Sequence, residues 1–117
     1  SFEQLPQTDA GNRIRQWQIQ PKKRMLSSMS PTIVLDDGKV RMVTGSPGGT
    51  TIMSSVYLSI LNALEYSMDA KDVVNLPRFH HQLLPKDVIR HQAGLDATVI
   101  SELQKMGYTV NQRGFGD

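Results

Sequence analysis

The run Thr32-Ile33-Val34-Leu35-Asp36-Asp37-Gly38-Lys39-Val40-Arg41-Met42-Val43-Thr44, followed at once by Gly45-Ser46-Pro47-Gly48-Gly49-Thr50-Thr51, decides the fold of this chain. Two stretches of β-favouring residues flank an Asp-Gly step, and Asp and Gly tolerate the positive φ angles that tight hairpin turns require. The sequence therefore predicts strands over 32–36 and 39–44. Ile33-Val34-Leu35 does not alternate with polar residues, which predicts a strand covered on both faces and a layered α/β (α+β) arrangement. Beyond the glycine pair, Ile52, Met53, Val56, Tyr57, Ile60, Leu61 and Leu64 recur at helical spacing, with Ser55, Ser59, Asn62 and Glu65 on the opposite side. This predicts an amphipathic helix of roughly 15 residues, about 23 Å long at 1.5 Å per residue, whose apolar stripe is core and not a cofactor pocket.

Gly48 and Gly49 lie where the hairpin meets that helix. Two adjacent glycines there leave backbone N–H groups beside the positive end of a helix, with no Cβ to block an anion or a carbonyl oxygen. That is the raw material of an oxyanion hole. Pro-Gly and Gly-Gly are also ordinary turn punctuation, and judged alone the pair is better read as a tight turn.

Further along, Asp69 is placed to cap a short helix that ends before Leu76-Pro77, because proline disfavours the helical region for its predecessor. Arg78 to Leu84 reads as extended chain and Val88-Ile89 as a short strand. A last helix starts at the cap Asp96, carries the stripe Val99, Ile100, Leu103 and Met106, and closes at Gly107 before a strand at Tyr108-Thr109-Val110. Ser1 to Gln20 is rich in Gln and interrupted by Pro6 and Gly11, which predicts irregular chain docked by Ile14, Trp17 and Ile19. No repeat or low-complexity tract is present.

At 117 residues the chain is one domain's worth, and about 46% of it is apolar once its 9 glycines join the 38% counted hydrophobic, as in ordinary globular domains. No apolar run approaches the roughly 18 residues of a membrane span, and no charged-then-apolar leader opens the sequence. The absence of cysteine excludes disulfides, thiolate ligands and a cysteine nucleophile without fixing the compartment. Residues 1–24 hold five basic groups (Arg13, Arg15, Lys22, Lys23, Arg24) against Glu3 and Asp9, which leaves the remainder at −1 out of a formal +2 overall. A nucleic-acid arm is one reading of this basic head. A solvated segment is the better one, because only Phe2 and Trp17 are there to stack on bases.

The candidate chemistry narrows by type. His80 and His81 are adjacent and on a strand would point to opposite faces, while His91 is isolated, so no metal site is expected; hydrogen bonds to Gln82 and nearby loops are the expected role. No Gly-x-Ser-x-Gly elbow and no phosphate-binding glycine signature occurs, so neither an α/β-hydrolase nor a nucleotide cofactor is supported. Asp36 and Asp37 belong to the hairpin turn. Ser27, Ser28 and Ser30 form a hydroxyl-rich loop before Pro31, which on its own is better read as a Ser/Thr turn than as a cradle for a carboxylate.

Leu26-Ser27-Ser28-Met29-Ser30-Pro31, then Thr44-Gly45-Ser46-Pro47-Gly48-Gly49, then Pro77-Arg78-Phe79-His80-His81-Gln82 closely resemble, in that order, the C-terminal part of γ-glutamyltranspeptidases. The resemblance runs from about Lys23 to the end, where Gly114-Phe115-Gly116-Asp117 is similar to the start of a further family motif; it divides the chain into a basic segment 1–22 and a partial small-subunit domain 23–117. It implies the αββα sandwich of N-terminal nucleophile hydrolases. It also implies that Ser27 and Ser28 bind the α-carboxylate of a γ-glutamyl substrate and that Gly48 and Gly49 form the oxyanion hole. In such enzymes an N-terminal threonine, released by autocatalytic cleavage of a precursor, uses its own amine as base to attack the γ-amide; the resulting ester is resolved by water or an acceptor amine.

No residue here matches that threonine, since Thr44, Thr50 and Thr51 are internal with blocked amines. The expected partners are therefore a γ-glutamyl small molecule such as glutathione and the remainder of the same precursor, meaning its large subunit and the start of its small subunit. No cofactor and no nucleic acid is expected, and the fragment alone is expected to be inactive. Met25 stands where the family usually has proline, which leaves open a related acylase with another acyl group. A non-catalytic binding module is the reading from a different class. The family's bacterial members imply a periplasmic or extracellular location, and a cytoplasmic one stays open.

Overall fold

The computed structural model describes residues 21–25 and 27–114. The expectations for Ser1 to Gln20, including the docking of Ile14, Trp17 and Ile19, and for the motif ending at Asp117 lie outside these residues.

Strand β1 (Thr32–Asp36) pairs antiparallel with β2 (Lys39–Thr44), Thr32 opposite Thr44 and Asp36 opposite Lys39, within the predicted bounds. Asp37 and Gly38 both have positive φ, 47° and 74°, the mirror-image turn whose twist matches that of the strands it joins. Val34 pairs with Met42 but Leu35 with Val40, so Arg41 is the extra residue of a bulge. A 3-10 turn (Gly49–Thr51) then leads into helix α1 (Ile52–Leu64).

Asp69 caps the short helix α2 (Ala70–Asn75) by accepting the Asp72 N–H at 2.8 Å, and the chain leaves the helix at Leu76, ahead of Pro77. The second sheet has the order β3 (Phe79–His81), β4 (Val88–His91), β5 (Thr109–Gln112). β4 runs antiparallel to β3 and parallel to β5, and helix α3 (Ala97–Lys105) is the crossover that the parallel step requires. In the β3–β4 pairing His80 lies opposite Arg90 and His91 opposite Phe79, so the buried His80 and His91 face opposite sides of the sheet.

The buried core is small and half polar: Val56, Leu58, Val73 and Ile89 share it with Thr51, Ser55, His80 and His91. Three expectations about coverage fail. Ile33 and Leu35 are 63% and 60% exposed, because the hairpin is a two-stranded sheet with α1 packed on only one of its faces. On α1, Met53 and Tyr57 are exposed while Ser55, assigned from periodicity to the outer side, is the most buried residue described. The buried positions Thr51, Ser55 and Leu58 follow the i, i+4, i+7 rule, shifted round the helix from the predicted stripe. Likewise α3 buries no residue fully, and Val99 and Met106 of its stripe are exposed.

Candidate active site

Antiparallel pairing settles which loops meet. Since Thr32 lies opposite Thr44, the chain preceding β1 and the chain following β2 leave the hairpin at the same end. Ser27–Pro31 and Gly45–Gly49, the two stretches singled out from sequence, therefore extend from the same rim. The Asp37-Gly38 turn is at the other.

At that rim the serine loop is held by its own hydroxyls. Ser27 Oγ accepts the Met29 N–H at 3.3 Å, Ser30 Oγ donates to the Ser28 carbonyl at 3.1 Å, and Thr32 Oγ1 donates to the Ser30 carbonyl at 3.1 Å. These are the local bonds of a Ser/Thr turn, and they pre-set the loop. The Ser28 side chain is half-buried and makes no bond among the described residues.

The glycine loop has a conformation that only glycine adopts without strain. Gly48 has φ 124° and ψ 8°, and Gly49 has φ 60°. A Cβ built on Gly49 would meet nothing within 4 Å, so the positive φ and not crowding is what calls for glycine there. The Gly48 carbonyl accepts two bonds, from the Thr51 N–H at 3.2 Å and from Thr51 Oγ1 at 2.9 Å. In a planar trans peptide C=O and N–H point in opposite directions. Fixing the Gly48 carbonyl toward Thr51 therefore aims the Gly49 N–H away from the helix start. Neither the 3-10 turn nor the first turn of α1 carries an acidic residue, and no side chain caps either one, so the positive helix end is left to act outward. A cavity of about 380 Å³ lies behind this loop, lined by Thr44, Gly45, Ser46, Ser59, Ala63 and Val73 among others, but by none of Ser27, Ser28, Gly48 and Gly49.

His80 takes part in a different connection. Its Nδ1 lies 2.6 Å from Ser54 Oγ on α1 and its Nε2 3.2 Å from Gln82 Oε1. The amide oxygen of Gln82 can only accept, so Nε2–H donates to it. The expected bond to Gln82 is present. The tie to Ser54, across 26 positions, left no local signal in the sequence. His91 Nδ1 donates to the Gln92 carbonyl at 2.8 Å. Among the described residues no three His, Asp or Glu groups are placed to hold a metal ion, and no helix is long and apolar enough to cross a membrane. The role of Thr51 was also missed, although a threonine three positions after Gly48 is the familiar spacing of a hydroxyl folded back on the start of a helix.

Comparison with known proteins gives this geometry a context. The family model for gamma-glutamyltranspeptidase matches residues 3–117, which takes in most of the N-terminal segment as well. The chain is 46% identical over 99 residues to the glutathione hydrolase proenzyme of Pseudomonas aeruginosa, covering 83% of this chain and 18% of that one. It is 45% identical over 92 residues to that of Escherichia coli, covering 79% and 16%. It thus spans less than a fifth of the length of these relatives. A mutant gamma-glutamyltranspeptidase from Helicobacter pylori superposes with a TM-score of 0.77 at 45% identity over 84% of this chain and 53% of the other. The enzyme of Pseudomonas nitroreducens complexed with L-DON superposes at 0.75 with 46% identity, covering 82% and 51%. The mixed α+β fold described above is that of these N-terminal nucleophile hydrolases, and the chain belongs to the gamma-glutamyltranspeptidase family.

Proposed function

We propose that this chain supplies the oxyanion loop and the carboxylate-binding serines of an enzyme that cleaves γ-glutamyl amides, glutathione among them, and passes the glutamyl group to water or an amine. The observation that carries the reading is the Gly48–Gly49 loop, with both φ angles positive and its outward N–H at the same hairpin rim as Ser27 and Ser28. When a nucleophile adds to the γ-amide carbonyl, negative charge collects on oxygen. The N–H groups of Gly48 and Gly49 bind that charge in an already formed loop, so no reorganisation is needed as it develops. Ser27 and Ser28 bind the α-carboxylate in ground state and transition state alike, which sets affinity more than turnover.

The nucleophilic threonine and the groups that hold the substrate amine come from the remainder of the precursor, so this stretch alone turns nothing over. The surface for that remainder is the outer face of the hairpin, Ile33, Leu35, Val40 and Val43, together with Met53 and Tyr57 of α1, all exposed here. The test uses the full-length parent: mass spectrometry for two chains, and release of an anilide from a γ-glutamyl anilide. Two chains with turnover, and a raised KM in Ser28→Ala, support the assignment. A folded, uncleaved, inert parent overturns it in favour of a binding module, and cleavage without turnover points to another acyl group.

A further inference from the structure

We propose that Thr51 is a positioning residue of the oxyanion loop: its buried hydroxyl latches the Gly48 carbonyl and so keeps the Gly49 N–H aimed at the reacting oxygen. The proposal rests on the amidohydrolase reading above and adds a residue to it. Thr51 is only 7% exposed, and its Oγ1 lies 2.9 Å from the Gly48 oxygen. The other donor to that oxygen, the Thr51 N–H at 3.2 Å, makes the bond of a single 3-10 turn, whose geometry is poor. Together they occupy both lone pairs of the carbonyl.

The latch is needed because of the residues it acts between. A peptide flanked by two glycines meets little steric resistance to rotation, since neither side bears a Cβ. Rotating the Gly48–Gly49 peptide by half a turn exchanges its C=O and N–H. A carbonyl oxygen would then face the developing oxyanion where a donor should be, turning attraction into repulsion. Freedom of approach and freedom to flip come from the same missing Cβ atoms. The Thr51 hydroxyl removes the second and leaves the first, because it grips the far side of the peptide from beneath.

The experiment compares Thr51→Val, which keeps the volume and loses the hydroxyl, with Thr51→Ser, which keeps the hydroxyl, in the full-length parent. Thr51→Val is expected to lower kcat about tenfold with KM for a γ-glutamyl anilide within about twofold, since a misaimed donor is felt only in the transition state. Thr51→Ser is expected to stay within about threefold of wild type on both constants, the one hydrogen bond being retained. A second readout needs no turnover: with ¹⁵N-glycine labelling, the Gly49 amide resonance, assigned by its loss in Gly49→Ala, shifts or broadens in Thr51→Val and not in Thr51→Ser. Wild-type kcat in Thr51→Val overturns the latch. So does equal damage from both variants, or a joint fall of kcat, affinity and melting temperature. If the wild-type parent shows no turnover, the functional reading fails, and an unmoved Gly49 resonance in Thr51→Val then overturns the latch separately.

Discussion

Replacing Gly48 and Gly49 one at a time by alanine should have unequal effects, and the inequality follows from their backbone angles. Gly49, at φ 60°, sits in the left-handed region, where a residue with a Cβ costs about 1–2 kcal/mol, and its Cβ would meet nothing. Gly48, at φ 124° and ψ 8°, lies in territory closed to side chains, with a strain of about 3 kcal/mol. Relief in either case means turning the peptide and breaking the two bonds from Thr51, a loss of about 2 kcal/mol at roughly 1 kcal/mol each. For Gly49→Ala the strain does not exceed that loss, so the loop holds and kcat falls by no more than about tenfold. For Gly48→Ala it does, the loop gives way, and losing an oxyanion donor lowers kcat by about 10²–10³. KM should stay within about twofold in both, because Ser27 and Ser28 lie on the other strand's loop. The assay is steady-state turnover of the parent on a γ-glutamyl anilide, normalised to the two-chain form, with melting recorded alongside. Equal loss in the two variants, or full kcat in Gly48→Ala, would refute the reasoning.

Three further outcomes concern stability. Ser54→Ala should cost about 1 kcal/mol by releasing the 2.6 Å bond to His80, and a double-mutant cycle with His80→Phe should show coupling of about 0.5–1 kcal/mol; strict additivity would show that the bond contributes nothing. Ser55 is 1% exposed and its hydroxyl has no partner among the described residues, so Ser55→Ala should leave the melting temperature unchanged or raise it, and a clear drop would mean the hydroxyl has a partner in the parent. The Asp96 carboxyl is held below its ordinary value of 3.8, foremost by the Thr98 N–H at 2.6 Å and then by the Thr98 hydroxyl. The fold therefore prefers its charged form: this contribution is complete above that ordinary value and is lost as pH falls through the lower, folded-state value. Asp96→Asn should flatten this part of the curve of melting temperature against pH, and an unchanged acid slope would refute the assignment.

What the sequence disclosed follows from how local each signal is. The hairpin was legible because Asp37-Gly38 dictates the turn and Thr32 to Thr44 supply the strands, so both bounds and register emerge from neighbours in the chain. The caps at Asp69 and Asp96 were legible for the same reason, each bonding an N–H two or three positions on. The facing of α1 was not. Apolar residues recur almost all the way round it, so periodicity alone did not fix its buried side, which was decided by the strands it packs against. At the site, the glycines and serines were visible as motifs, but their placement at one rim depends on pairing Thr32 with Thr44. The bond from Thr51 and the tie between Ser54 and His80 required the assembled backbone.

The hairpin also behaves as a ruler with one free end. The rim that carries the serine and glycine loops and the turn at Asp37-Gly38 are separated by the length of β2, about 20 Å for its six residues at 3.3 Å each. A residue added inside either strand would turn every following side chain to the other face and carry one loop away from the other. Residues added at the turn change neither the register nor the spacing at the rim. That turn is accordingly the place to graft an epitope or a fluorophore without disturbing the rim.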